Sequence, residues 1–206
     1  VFRSNDDPIM YPSIDWRRYL LNKTSVQTQH NLNISGGTKD IRYFISLGFL
    51  YQNGLLKQFE GVGYDNNYKY KRYNYRANLD FDATKTTTLK IGIGGIVGNR
   101  NEPMINDATN SIWTLINQTT PFSSPGVIDG KLIVTPEERF DNKINLGNSA
   151  LPKCYGTGYS TAINNTMNLD LLLNQKLDFI TKGLSAEIKG AYNTSYGFTK
   201  KRKGQV

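Results

Sequence analysis

The chain has 206 residues, is 38% hydrophobic and carries a formal net charge of +8. Its mean hydropathy is -0.50, and no run of about 18 apolar residues exists, which excludes a transmembrane helix but not a membrane barrel, whose alternation bulk hydropathy averages away. The single cysteine, Cys154, excludes an internal disulfide, and the only dense basic run, Lys200-Lys201-Arg202-Lys203, lies next to the chain end, a weak basis for nucleic-acid binding, so no nucleic-acid partner is expected.

In chain order, "SIDWRRYLLNK" predicts a short helix with Trp16, Tyr19 and Leu20 on one face and Ser13 or Asp15 able to cap it. A strand follows over about residues 27 to 35, where Leu32 and Ile34 alternate with Asn31, Asn33 and Ser35. The second, over about 40 to 52, sets Ile41, Tyr43, Ile45, Leu47, Phe49 and Tyr51 against Arg42, Ser46, Gly48 and Gln52, with Phe44 and Leu50 on that mixed face. The third, "YKRYNYRANLDFDA", sets Tyr73, Tyr75, Ala77, Leu79 and Phe81 against Arg72, Asn74, Arg76, Asn78, Asp80 and Asp82. The fourth, "TLKIGIGGIVGN", carries Leu89, Ile91, Ile93 and Val97 on its apolar face.

Next, "NDATNSIWTLINQ" predicts a helix with Ile112, Leu115 and Ile116 on one face, capped by Asp107. "TTPFSSPGVIDGKLI" reads as an irregular run with turns at Pro-Gly and Asp-Gly. The fifth strand, "NTMNLDLLLNQKL", has Met167, Leu169, Leu171 and Leu173 on one face. The sixth, "GLSAEIKGAYNTSY", has Leu184, Ala186, Ile188, Tyr192 and Tyr196. The 13 tyrosines and 19 glycines suit strands, turns and sugar-facing surfaces better than a helical bundle.

The connections alternate in length. "GGTKD", "TKTT" and "DFITKG" are short, whereas about 52 to 67 is longer and about 99 to 160 very long. A meander with short turns at one rim and long loops at the other is the layout of an outer-membrane barrel, and a sandwich mixes its turn lengths at both ends. Each alternating stretch approaches the roughly 9–11 residues a tilted strand needs to span a membrane. No charge stands at the middle of an apolar face, where Arg or Lys against lipid costs about 2–4 kcal/mol. The aromatics sort by height, with Phe49, Tyr51, Tyr73, Tyr75, Tyr192 and Tyr196 at the long-loop end and Tyr43 and Phe81 at the short-turn end. The apolar face therefore reads as lipid-facing, and outer-membrane lipid is an expected partner.

The expected fold class is all-β: an antiparallel up-and-down transmembrane β-barrel segment of about six strands, with short helices in the extracellular loops. Residues 1–23 are expected as an extracellular loop, 24–98 as four strands, 99–160 as a long extracellular loop, and 161–206 as two strands and the start of a further loop. The absence of an initiating Met and the strand-like end suggest a piece of a longer protein.

No catalytic constellation is legible, so no enzyme activity, cofactor or metal is expected. His30 is the only histidine and has no Cys or Ser partner at a recognisable spacing. Asp80 and Asp82 share a strand face, which a wet lumen explains as well as acid–base chemistry does. "IGIGGIVG" mimics a phosphate loop in composition only, because it sits inside an alternating strand with no following helix. Candidates for substrate contact are the polar-face residues Arg42, Arg72, Asn74, Arg76 and Asp80, with Asn101 and Trp113 in the long loop. Amides and aromatic faces suit sugars, and the bland alternative for each is a solvated lumen or a packed loop helix.

Four stretches resemble the barrel of SusC-type TonB-dependent outer-membrane transporters of Bacteroidetes. They are the Asp15-Trp16 pair, "QHNLNISGG", "RYFISLGFLYQNG" and "RYNYRANLD", in that order, and "ITKGLSAEIKGAYN" resembles a later hairpin of such barrels. The resemblance implies import of oligomeric nutrients, glycans or sometimes peptides, across a Gram-negative outer membrane. It implies a large plugged barrel of about 22 strands, with the plug and the first strand lying before Val1. The TonB complex would act through that plug, and a SusD-like surface lipoprotein would lie over the extracellular loops. The other classes open to this sequence are a soluble all-β carbohydrate-binding module and a non-transporting barrel that serves as an anchor or adhesin.

Overall fold

The computed structural model describes residues 7–105, 111–133 and 150–204. Asp15 caps a five-residue helix, α1 (Trp16–Leu20), its carboxylate accepting from the Arg18 amide. Four strands follow: β1 (Gln27–Gly37), β2 (Ile41–Asn53), β3 (Lys69–Asp82) and β4 (Thr87–Pro103). An excursion carries helix α2 (Ile112–Gln118), the hairpin strands β5 (Val127–Ile128) and β6 (Lys131–Leu132), and helix α3 (Ala150–Tyr155). The chain then returns as β7 (Gly158–Lys176) and β8 (Ser185–Lys203).

The long strands form one six-stranded sheet in the order β1-β2-β3-β4-β7-β8. Every neighbouring pair is antiparallel, so the sheet is a meander without crossovers and does not close on itself. Residues 38–40, 83–86 and 177–184 make the turns at one rim, and 54–68 and 104–157 make the excursions at the other. This is the all-β, up-and-down organisation that the loop lengths predict.

The register runs unbroken across the sheet, so residues of one height form rows. Ile45 faces Ala77, Ala77 faces Ile93, Ile93 faces Leu169, and Leu169 faces Tyr192. With a side-chain period of two, such rows separate one apolar face from one polar face. The apolar face is not covered by the described residues: Leu47 is 49% exposed and Ile188 70%. A contiguous exposed apolar surface of this kind needs a partner phase. From Ile41 to Tyr51 the strand rises roughly 33 Å at about 3.3 Å per residue. Tilted by ~40°, that gives a band about 25 Å tall, the height an outer-membrane barrel presents to lipid.

Three local expectations need correction. Strands β4, β7 and β8 are longer than their hydrophobic alternation implies, at 17, 19 and 19 residues. Above the apolar band the residues are polar and the sequence signal fades, but pairing continues because each strand still has a neighbour, Pro103 opposite Tyr159 and Tyr159 opposite Arg202. Asn101 is therefore a strand residue, not a loop residue, and Lys200–Lys203 end a strand. The same extension moves Tyr192 off the rim. It shares the central row with Ile45 and Ile93, whereas Tyr196 shares the Phe49–Tyr73 row. Helix α2 is capped by Ser111, whose hydroxyl accepts from the Thr114 amide at 3.3 Å; Asp107 lies outside the described residues.

The buried core is not at the sheet but at the long-loop end. Trp16, Leu20, Leu56, Ile112, Leu115 and Tyr155 are its main members, so α1, α2, α3 and the 54–68 excursion bury their apolar faces on one another. Trp16 Nε1 donates to the Thr120 carbonyl at 2.8 Å, and Tyr155 Oη to the Lys57 carbonyl at 2.8 Å. The Asp-Gly turn closes the β5–β6 hairpin, with Asp129 at φ 49° and Gly130 at φ 74°. Two central residues with positive φ are what a tight hairpin turn demands.

Candidate functional site

The polar face of the sheet holds a groove of about 700 Å³ running across β2, β3, β4 and β7. Its floor is low because Gly92 and Gly94 contribute no side chains, and a Cβ at Gly94 would come no nearer than 3.7 Å to any atom. Register builds its walls. Arg76 lies between Ser46 and Gly94, and Gly94 faces Asn168. Arg72, Asn74, Asn78, Thr166 and Asp170 complete the lining.

Two polar atoms of this groove are unsatisfied. Arg72 Nε and Asn74 Oδ1 are buried and have no hydrogen-bond partner among the described residues. A native chain leaves few such groups, and each costs about 1–3 kcal/mol unless something outside the chain satisfies it. Two guanidiniums, three amides and a carboxylate around an open floor can hold a polar chain by its hydroxyls, carbonyls or amides. They lack the nucleophile–base arrangement of a catalyst. Among the described residues no group of His, Cys, Asp or Glu is arranged to hold a metal ion.

The candidate residues read from the sequence divide into three sets. Arg72, Asn74 and Arg76 line the groove. Arg42 and Asp80 do not: they face each other near the short-turn rim, with Arg42 Nε 3.9 Å from Asp80 and Arg42 Nη1 3.4 Å from Asp82. Exposed pairs of this kind contribute about 0–1 kcal/mol, and Asp82 also accepts from Thr88 Oγ1 at 2.8 Å. Asn101 stands on the apolar-side register of β4, and its amide donates to the carbonyls of Asp65 and Asn67, both at 2.9 Å. It anchors the 54–68 excursion to the sheet. Trp113 is on α2, 49% exposed, while its neighbours Ile112, Leu115 and Ile116 are buried. The polar groove residues that the sequence candidates omit are Ser46, Asn78, Thr166, Asn168 and Asp170. Ser46 and Asn78 are legible as polar-face residues of their strands, but the long excursion hides that β7 brings Thr166, Asn168 and Asp170 beside β4.

Burial holds the Cys154 thiol and the Tyr155 and Tyr64 phenols of the loop end in their neutral forms. Burial pushes the Cys154 thiol up from 9.0 to about 12, and Tyr155 is raised chiefly by burial too. Cys154 is fully buried, so it packs rather than reacts. Tyr64 is raised by burial as well; its hydroxyl donates to the Tyr155 carbonyl, and its ring stacks on Tyr159 at 5.6 Å.

No family model matches the chain. In sequence it is similar to the TonB-dependent receptor SusC of Bacteroides thetaiotaomicron, 28% identical over 125 residues, covering 54% of this chain and 12% of that receptor. In fold it is similar to the RagAB peptide importer in the closed-closed state, with a TM-score of 0.63 at 18% identity, over 96% of this chain and 21% of that one. The open-open state of that importer gives 0.62 at 18% identity, over 93% of this chain and 20% of that one. The chain thus spans about an eighth of the curated receptor and about a fifth of the importer chain. These relatives are a receptor and an importer, not enzymes. The sequence likeness and the shared fold agree: the chain resembles a barrel segment of a SusC-type TonB-dependent transporter.

Proposed function

We propose that the chain forms part of the wall of an outer-membrane importer of oligomeric nutrients, glycans or peptides, in a Gram-negative bacterium. In this reading β1–β4, β7 and β8 are wall, and the excursions at 1–23 and 99–160 are extracellular, with β4 and β7 rising into the second of them. The wall residues are those expected within 24–98 and 161–206. A SusD-like lipoprotein lies over the long loops, and TonB delivers energy through a plug inside the barrel.

The observation that carries the reading is a single sheet with two opposed chemistries. One face is an apolar band of lipid height, and the other is a groove whose Arg72 and Asn74 atoms await a polar partner. A soluble carbohydrate-binding sandwich would cover the first face with a second sheet. The named relatives support the direction, being a TonB-dependent receptor and a peptide importer. The loop cluster supports the partner, because it forms a packed platform on which Trp113 stays exposed.

The test uses the full-length protein in its own outer membrane. Uptake of labelled oligosaccharides and oligopeptides is compared in wild-type, transporter-deleted and TonB-deleted cells, and lipoproteins co-purifying with the transporter are identified. The reading expects uptake of one class to vanish in both deletions and a lipoprotein to co-purify. Recovery of the protein without detergent, or uptake unaffected by loss of TonB, overturns it.

A further inference from the structure

The apolar face of the sheet carries charges of one sign at one height, whereas the polar face carries both signs. On the apolar face the charged strand residues are Lys69, Lys71, Lys200 and Arg202, all cations. They stand above the Phe49–Tyr73–Val97–Asn165–Tyr196 row, on the long-loop side. Lys69 and Lys200 share one row through Asn101 and Thr161. At the opposite rim of the same face the row is Thr87, Gln175 and Ala186, which carry no charge. Among the described residues, the acids on the long strands, Asp80, Asp82, Glu102, Asp170 and Glu187, all fall on the polar face.

Lys69 is paired with Asp65. The other three have no carboxylate partner among the described residues. Two of them are held against rings at the same rim. Lys71 Nζ lies 6.0 Å from the Tyr51 centroid. Arg202 lies 5.8 Å from the Tyr159 centroid and donates from Nη1 to Tyr159 Oη at 2.9 Å. Below Lys71 an open gap of about 460 Å³ lies across β1, β2 and β3, and its lining is almost wholly apolar. Leu32, Leu47, Phe49, Tyr73 and Tyr75 wall it, with His30 stacked on Phe49 at 6.5 Å.

We propose that this rim seats phosphate-bearing lipid of the leaflet on the long-loop side. The lipid phosphates meet Lys71, Lys200 and Arg202, and one acyl chain lies in the gap beneath Lys71. Charge complementarity carries the assignment: an outward rim that is cationic, with the acids placed on the other face, matches an anionic headgroup layer. Cations just above an aromatic row keep their stems on apolar surface and their heads at headgroup height. The inference rests on the reading that the apolar face meets lipid, and it adds which leaflet chemistry the wall selects.

The experiment uses the full-length protein purified in a zwitterionic detergent. Three probes are titrated by native mass spectrometry: lipid A with its phosphates, the same lipid A after dephosphorylation, and inorganic phosphate. The variants are Lys71→Gln/Lys200→Gln/Arg202→Gln and, as a control with two polar-face cations removed, Lys90→Gln/Lys189→Gln. Each outward cation near an anionic surface strengthens binding several-fold, so the triple variant loses roughly a hundredfold in affinity for phosphorylated lipid A. The control binds as wild type does, dephosphorylated lipid A binds weakly to both, and inorganic phosphate does not displace the lipid. Equal binding of the two lipid forms, equal loss in the control, or displacement by inorganic phosphate at millimolar concentration overturns the inference. Heat-modifiability gels confirm that each variant is a folded barrel. A protein that needs no detergent would defeat the membrane reading itself, which is a different outcome.

Discussion

Tyr75 lays its ring over Gly95, the residue directly opposite it on the next strand. A Cβ at Gly95 would stand 2.4 Å from Tyr75 Oη and 2.5 Å from the Thr166 carbonyl oxygen. The glycine is required by packing across the sheet: the aromatic ring covers backbone that a side chain would otherwise shield. Gly95→Ala must therefore move a backbone atom as well as a ring, and overpacking of this kind costs about 1–3 kcal/mol. Gly94→Ala, one residue away on the groove side, meets only the Tyr75 carbonyl oxygen at 3.7 Å, an ordinary van der Waals contact. Urea unfolding midpoints of the full-length barrel should fall for the first and stay near wild type for the second.

A second contrast tests which face meets lipid. Leu47 and Ser46 are adjacent on β2 and point to opposite sides, Leu47 toward Tyr75 and Ser46 toward Arg76. Leu47→Arg places a cation near the middle of the apolar band, at a cost of about 2–4 kcal/mol. Ser46→Arg places it in the wet groove. The yield of heat-modifiable folded barrel in membranes should drop sharply for Leu47→Arg and little for Ser46→Arg. Equal yields would reverse the assignment of faces.

The sheet was legible because period-two alternation is a strong signal wherever one face is apolar, as from Ile41 to Tyr51. It is not legible above the band, where "GNRNEP" is polar and "GYSTAINN" mixes Tyr159, Ala162 and Ile163 with polar residues without a sustained alternation, so that only the neighbouring strand keeps them extended. That is why the sequence pattern places Asn101 in a loop and Tyr192 at the rim. Helix α3 was missed because its apolar residues, Leu151, Cys154 and Tyr155, span little more than one turn around Pro152. A segment that short takes its helicity from packing. Half of the groove was foreseen on β3, where Arg72, Asn74 and Arg76 stand in one row. The β7 half required knowing that β7 returns to β4 after an excursion of more than fifty residues.

The loop cluster should respond to alkali. The Cys154 thiol is raised from 9.0 to about 12 by burial, so the folded cluster binds a proton that the opened cluster releases. The stabilisation is complete below pH 9 and is lost as pH climbs from 9 toward 12. Maleimide labelling of Cys154 in the intact protein should be negligible at pH 8. It should rise above pH 9 more steeply than thiolate formation in the unfolded chain. Leu115→Ala opens a cavity against the same cluster, costs about 2–5 kcal/mol, and should expose Cys154 to labelling at pH 8 without loss of barrel heat-modifiability. Rapid labelling of the unsubstituted protein at pH 8 would contradict the packing described for α3.

The last contrast separates groove residues from rim residues among cations of the same face. Arg72 and Arg76 line the groove, and Arg72 Nε is buried without a partner. Arg42 is held by Asp80 and Asp82 near the short turns. If the groove binds the transported oligomer, Arg72→Ala or Arg76→Ala removes hydrogen bonds from a charged group, each worth about 1.5–3 kcal/mol. The half-saturating concentration for uptake should then rise roughly tenfold or more. Arg42→Ala breaks only exposed ion pairs and should leave uptake near wild type, with at most a small loss of folded barrel. Uptake is measured with labelled oligomer in cells whose outer membranes contain matched amounts of each variant. Wild-type uptake by both groove variants would move substrate contact from the sheet to the loops, where Trp113 stands exposed on α2.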